Sequence, residues 1–109
     1  MSEAFVRVVR AGPDLPPKGP EPYVRINTFT LDDLGLTESD LSPALRLQVG
    51  SSLLHVRWEL YTAEPDAGPI LRLRPRGLRL TGLRAGRTYV ARYEPSVNAI
   101  HLIRPVAGK

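Results

Sequence analysis

Apolar and polar residues alternate in short runs along most of this chain, and a period of two predicts strands rather than helices. Residues 5–10, FVRVVR, mix β-branched and charged side chains and read as a short strand with Arg7 facing outward, so 1–10 is assigned as an N-terminal strand segment. Residues 23–28 set Val24 and Ile26 against Tyr23, Arg25 and Asn27, which predicts a strand with one buried face. Thr30 then precedes LDDL and Gly35. Thr is a competent N-cap, Asp32 and Asp33 fall in a first turn where the helix dipole favours them, and Gly35 offers a left-handed stop. The helix is therefore a turn or two, with Leu31 and Leu34 inward and Leu36 anchoring the exit. Residues 44–49 form the next strand, Gly50-Ser51-Ser52 a hairpin turn, and 53–61 the return strand.

The same grammar recurs over residues 70–104. Leu71 and Leu73 face one way and Arg72 and Arg74 the other, Pro75 ends the strand or lies at its edge, and a short turn stops at Gly82. YVRINTFTLDDLGLTESD sits forty-seven positions ahead of ILRLRPRGLRLTGLRAGR with no gap, and Arg25/Arg72, Leu31/Leu78, Gly35/Gly82 and Leu36/Leu83 are identical. Further on, Leu54-His55-Val56 aligns with Ile100-His101-Leu102 at a separation of forty-six. The chain thus reads as one domain, 1–109, with repeat one at 23–61 and repeat two at 70–104. Residues 11–22 hold five prolines and two glycines and form a stiff connection, while 63–69 is a loop by composition. Neither repeat can bury its sheet face alone, so the two should pack together. Short strands with regular turn signals favour closure, which removes exposed edges. The expected fold is mainly β with short helices, a small pseudo-twofold β-barrel of double-psi or swapped-hairpin type built from two βαββ-like repeats.

The pattern carried by Ile70, Leu71, Leu73, Leu78, Gly82, Leu83 and Gly86, followed by a Tyr-containing strand and a hairpin, resembles the βαββ unit of cradle-loop barrels. That group includes double-psi barrels and swapped-hairpin transition-state regulators of the AbrB type. Residues 47–51, LQVGS, then His55-Val56, 70–92 and the ending 101–106, HLIRPV, are similar to the N-terminal region of endospore coat-associated proteins of the YheC/YheD type. The resemblance implies a barrel architecture and an association with sporulation. In that family the region precedes an ATP-grasp domain, which has no counterpart among these residues, so no catalytic residue is implied.

Charge adds a second asymmetry. Residues 1–66 hold six Lys/Arg against ten Asp/Glu, a balance of −4, and 67–109 hold nine against one, a balance of +8. Such a split points to a polyanion partner or to an acidic surface such as a neighbouring copy, against the plainer reading of a solvated Arg-rich face. With no cysteine there is no disulfide, no thiolate nucleophile and no Cys-based zinc site. No apolar run reaches the roughly 20 residues of a membrane span, and the N-terminus lacks the apolar core of a signal peptide. A cytoplasmic location with no membrane partner is the expectation.

Candidate chemistry is sparse. His55 and His101 occupy equivalent repeat positions and, helped by Glu59 or Glu94, could meet across the pseudo-twofold axis around a metal. Matched strand histidines are more simply inherited structure, so no metal is assigned. Ser51, His55 and Asp66 supply the atom types of a triad without a nucleophile elbow. Asp32 and Asp33 point about 100° apart on a helix and do not form an acid/base pair. Residues 82–86, GLRAG, match neither the Walker pattern nor GxGxxG. No enzyme activity and no cofactor are expected. What has content is the arginine set: Arg72 and Arg74 on a strand face, Arg76 and Arg79 on the next turn, and Arg84 and Arg87 around the following loop, a basic ridge roughly 20 Å long. The planar guanidinium fork suits phosphate. No aromatic is interleaved with the ridge and no recognition helix of useful length exists. The sequence therefore points to a non-catalytic interaction or assembly module, associating with a protein partner or with itself through its acidic and basic halves. The alternative is a DNA-binding transition-state-type regulator that uses the Arg-rich second half, although the first copy has Asn27, Thr28, Thr30, Asp32 and Thr37 where the second has Arg74, Pro75, Gly77, Arg79 and Arg84.

Overall fold

Among the described residues, period-two alternation becomes eight strands, and two seven-residue helices interrupt them. A computed structural model describes residues 3–11, 23–37, 44–61 and 68–106. Its elements are β1 (Glu3–Arg10), β2 (Tyr23–Asn27), α1 (Thr28–Leu34), β3 (Arg46–Val49), β4 (Ser52–His55), β5 (Arg57–Tyr61), β6 (Ile70–Leu73), α2 (Pro75–Thr81), β7 (Thr88–Glu94) and β8 (Ala99–Pro105). The strands join in one sheet in the order β4-β3-β8-β7-β1-β6-β2-β5. The sheet curls into a nearly closed, barrel-like form, mainly β as the sequence predicts. Most of the proline-rich connection and most of the 63–69 loop lie outside the described residues.

The interior is filled from alternate positions of the strands. Val6 and Val8 of β1, Val24 and Ile26 of β2, Leu47 of β3, Leu71 and Leu73 of β6, Ala91 of β7, and Ile100 and Leu102 of β8 are buried in one cluster. Trp58 and Leu60 of β5 pack against it while half exposed. Burying a side chain of this size contributes about 1.5–3 kcal/mol, so the shared interior is the main stabilising term. Leu31 and Leu34 of α1 add to the cluster as expected, and Leu36 packs against it. The glycine stops also hold: Gly35 and Gly82 both close their helices at φ 75°, a left-handed conformation that glycine adopts without a Cβ penalty.

Three local expectations need correction. The N-cap of α1 is Asn27, whose side chain accepts from the Thr30 N–H, and Thr30 itself sits in the first turn. Asp32 and Asp33 consequently fall in the second half of the helix, and its first turn holds no acid. Asn27 caps the helix while its amide also donates to the Gly68 carbonyl and accepts from the Ile70 N–H, and the Thr30 hydroxyl meets Ile70 from the first turn. Residues 53–61 are not one return strand. They divide at Val56: β4 pairs antiparallel with β3, whereas β5 pairs parallel with β2 at the other end of the strand order. Val56 is buried and gives its N–H to the Leu45 carbonyl at 3.2 Å, so the chain turns there without losing a hydrogen bond. The strand expected at 44–49 begins at Arg46, after a turn at Ala44.

The pairing of β2 with β6 is antiparallel, with Val24 opposite Leu73, Arg25 opposite Arg72 and Ile26 opposite Leu71. This register is symmetric about the Arg25–Arg72 pair. On either side of it, β5 flanks β2 in parallel and β1 flanks β6 in parallel, with Arg57 opposite Tyr23 and Arg7 opposite Ile70. The pairing of β3 with β8 is parallel. Together these registers place the outward residues of β5, β2 and β6 on one continuous exterior face.

Candidate functional site

That exterior face is where the charged alternate positions of three strands converge. Reading across the registers, Glu59, Arg25 and Arg72 form one row, and beside it Arg57 stands opposite Tyr23, over whose ring Arg74 reaches from the N-cap of α2. Tyr61 stands opposite Asn27, which is buried and bonds to the Ile70 N–H, so this end of the face is closed to solvent at β2. Arg25 and Arg72 are thus like charges directly opposite one another, an arrangement that is destabilising on its own. Tyr61 moderates it. The Arg25 guanidinium lies 4.9 Å and the Arg72 guanidinium 5.5 Å from the centroid of its ring, and Arg72 Nε donates to the Tyr61 hydroxyl at 3.1 Å. Cation–π contacts of this kind are worth about 0.5–1 kcal/mol at exposed sites and more where water is excluded. Arg74 stacks in the same way on Tyr23, 5.1 Å from its centroid.

Glu59 is the one acid on these three strands' outward positions among the described residues. It accepts a hydrogen bond from the Tyr23 hydroxyl and stands 3.8 Å from Arg25 Nε. Burial first, and the hydrogen bond to Glu59 in the same direction, together push the Tyr23 phenol up from its ordinary value of 10 to about 12. The fold therefore favours the neutral phenol. Because its folded pKa exceeds the unfolded one, the stability it contributes is complete below pH 10 and is lost as pH rises through 12. Urea midpoints of the wild type should fall across this window, by an amount equivalent to about 3 kcal/mol at most. Tyr23→Phe should show a shallower fall over the same range. Equal slopes for the two proteins would mean that Tyr23 titrates as it does unfolded.

The six arginines of the expected ridge divide into two groups. Arg72 and Arg74 are half-buried on the sheet face and held by tyrosines, whereas Arg76 and Arg79 of α2 and Arg84 and Arg87 of the following loop are exposed. Arg25, Tyr61, Tyr23 and Glu59 join the first group and are absent from the sequence-level set. One signal for Arg25 was available: it is the arginine that the forty-seven-residue alignment matches to Arg72. The halves defined by charge are not separate lobes, since β1 inserts between β6 and β7 and β5 extends the sheet beside β2. Arginines from the acidic stretch, Arg25 and Arg57, consequently lie beside Arg72 and Arg74.

The remaining candidates stand elsewhere. His55 and His101 lie on the two strands flanking β3, opposite Arg46 and Gln48 respectively. His101 Nδ1 is 3.7 Å from Glu94, which also receives Arg92 Nε at 2.8 Å. The Arg92 hydrogen bond is the main cause that holds the Glu94 carboxyl below the usual carboxylate range, and His101 lowers it further. Among the described residues no group of three or more His, Asp or Glu could hold a metal ion. Ser51 and His55 are exposed around the β3–β4 hairpin, and Asp66 lies outside the described residues. No described helix is long and apolar enough to cross a membrane. No family model, curated protein or solved structure matches the chain.

Proposed function

We propose that this protein is a non-catalytic interaction module that docks an acidic surface through its arginine-rich exterior. The observation that supports this most directly is the concentration of Arg25, Arg57, Arg72 and Arg74 on a three-strand face with Glu59 as its acid, followed at once by exposed Arg76 and Arg79 on α2. Asp32 and Asp33 are exposed on α1 and supply an acidic patch that a second copy could present. A heterologous contact of that kind assembles into rings or filaments rather than closed pairs. The resemblance to endospore coat-associated proteins gives this reading a multicomponent, spore-coat setting. The fold proposed for it is a pseudo-twofold barrel of two βαββ-like units, supported by the symmetric β2–β6 register. The parallel β3–β8 pairing has no equivalent between β7 and β4 among the described strands, which keeps double-psi and swapped-hairpin orders both open.

Light scattering at low and raised salt tests the module directly. Mass that grows with concentration at low salt, and returns to that of a monomer at high salt or in a combined Asp32→Lys, Asp33→Lys variant, is the expected result. A strict monomer at high concentration and low salt removes the self-assembly version. A second reading, binding of duplex DNA, is favoured by the exposure of Arg76, Arg79, Arg84 and Arg87. Fluorescence anisotropy against random duplex should then show saturable binding with a log–log salt slope of about −0.9 per phosphate engaged. Replacing these four arginines by Gln should weaken it at least tenfold, and binding that vanishes at physiological salt in the wild type would eliminate this reading.

A further inference from the structure

We propose that two copies of this protein pair through the outer side of β1, with Phe5 at the centre and Glu3 and Arg7 of each copy meeting Arg7 and Glu3 of the other. Glu3, Phe5 and Arg7 belong to neither the docking nor the DNA reading. Burial alternates strictly along this strand: Ala4, Val6 and Val8 are buried, and Glu3, Phe5 and Arg7 are exposed. Interior packing thus fixes an acid, an aromatic ring and a base on one outer line, each two residues from the next. Phe5 is 64% exposed, more than any other large apolar residue described. Beside it lies a groove of about 320 Å³ lined by Phe5, Gly86, Arg87, Thr88 and Val106. An apolar space of about 150 Å³ already holds a benzene ring, so the groove has room for a phenyl group from outside. Val90, opposite Phe5 on β7, is buried without belonging to the interior cluster, and it extends the apolar surface on this side.

A second copy fits this surface because the triplet is complementary to its own reverse. A twofold axis through Phe5 turns the second strand end for end, so that Glu3 lies over Arg7, Arg7 over Glu3 and Phe5 beside Phe5. Parallel stacking would instead set Glu3 on Glu3 and Arg7 on Arg7, which like charges forbid. Residues two apart on a strand are separated by about 6.7 Å and packed sheets by about 10 Å. Both Glu–Arg pairs therefore come within reach of their side chains while each ring enters the partner's groove. Among the described residues no hydrogen bond or ion pair engages the side chain of Glu3 or Arg7, so neither has to be released first. Arg92 stands opposite Glu3 but is bonded to Glu94. An aromatic centre with a charged rim has the anatomy of a protein interface. The contact is isologous and closes at two copies, unlike the rings or filaments of the docking contact. One strip of a barrel-like surface falls below the roughly 1,200 Å² of a stable complex, so the pair forms at about 0.1–1 mM, above the concentrations at which the docking contact is read.

Analytical sedimentation of an Asp32→Asn, Asp33→Asn protein, whose docking acids are gone, is the deciding experiment. At about 0.15 M salt, which screens the net charge, its mass should rise from one copy to two as concentration approaches about 1 mM, and stop there. In that background Glu3→Arg and Arg7→Glu should each weaken the pair at least tenfold, because each sets like charges together twice. Phe5→Ser should weaken it as much by removing the centre. Mixing the Glu3→Arg and Arg7→Glu proteins should restore pairing to within about threefold of the parent, since each supplies the charge that the other lacks. A misfolded variant cannot show that rescue. A single copy at about 1 mM overturns the proposal, as does a mass that passes two or pairing that survives all three substitutions. Should a variant fail to fold, the parent's amide spectrum decides: dilution must shift residues 3–7, Thr88 and Val106, and shifts confined to other strands overturn the face. The docking reading is tested with Asp32 and Asp33 in place, and it can fail while this result stands.

Discussion

Asn27→Ala is expected to lower folding stability by about 3–4 kcal/mol, more than any surface change in this molecule. The reason lies in a set of hydrogen bonds that is buried at Asn27, Thr30 and Ile70 and partly buried at Gly68. Asn27 is fully buried, as is Thr30. Asn27 Oδ1 accepts from the Thr30 N–H at 3.0 Å, lies 2.7 Å from the Thr30 hydroxyl and 3.2 Å from the Ile70 nitrogen, while Nδ2 donates to the Gly68 carbonyl at 2.7 Å. Thr30 Oγ1 completes the set, accepting from the Ile70 N–H at 2.9 Å and lying 3.0 Å from its carbonyl. Alanine would remove the helix cap, leave the Thr30 N–H without a partner in the interior and take the Asn27 donor from the partly buried Gly68 carbonyl. Each stranded buried group costs about 1–3 kcal/mol. Thr30→Val, which keeps shape and loses the hydroxyl, should cost less, because Asn27 still caps α1 and reaches Ile70. Urea denaturation of the three proteins measures this order, and a loss below about 1 kcal/mol for Asn27→Ala would show that water enters and replaces the amide.

The second large effect belongs to Leu47→Ala, with an expected loss of about 2–5 kcal/mol from the cavity it leaves. Leu47 is fully buried at the middle of the β4-β3-β8 end of the sheet, opposite Leu54 on one side and Ile100 on the other. β3 reaches the rest of the sheet through β8 alone, since β4 is its other neighbour and ends the order. Truncating Leu47 should therefore loosen the β3–β4 hairpin before the remainder. Amide exchange should accelerate at residues 46–55 more than in β1 and β6, whose registers are flanked on both sides. Uniform acceleration across all strands would mean that the hairpin unfolds only with the whole domain.

Both predictions bear on how the candidate face is held. Asn27 anchors the end of β2 to the start of β6, the two strands that carry Arg25 and Arg72. A weakened anchor should disturb the arginine register without touching an arginine. Leu47 lies at the far end of the sheet and should destabilise the fold while leaving that register intact.

Much of this architecture was legible in the chain because it rests on local rules. Leu71 and Leu73 alternating with Arg72 and Arg74 specify which side of β6 is interior, whatever strand lies next to it. Gly35 and Gly82 specify where each helix stops, because the left-handed backbone they supply is costly for other residues. Pro75 marks the end of β6 and the first turn of α2 for an equally local reason, its fixed φ and missing N–H. The identity of Arg25 with Arg72 at a forty-seven-residue offset was also on view.

What the tertiary structure alone decided is which strands become neighbours. The break at Val56 is the clearest case. Outward residues 53 and 55 and outward residues 57, 59 and 61 keep the same parity, so the alternation runs through the break with no phase slip for a sequence pattern to register. Yet the chain leaves one end of the strand order and resumes at the other. The second role of the Asn27 cap is of the same kind, because its amide also reaches Gly68 and Ile70, forty-one and forty-three residues away. The Arg25–Arg72 pair completes the argument. Sequence alone specifies that each arginine faces outward from its own strand, since alternation is a property of a single strand. That the two face each other, over Tyr61 from a third strand, is a property of register, which long-range packing of the interior settles.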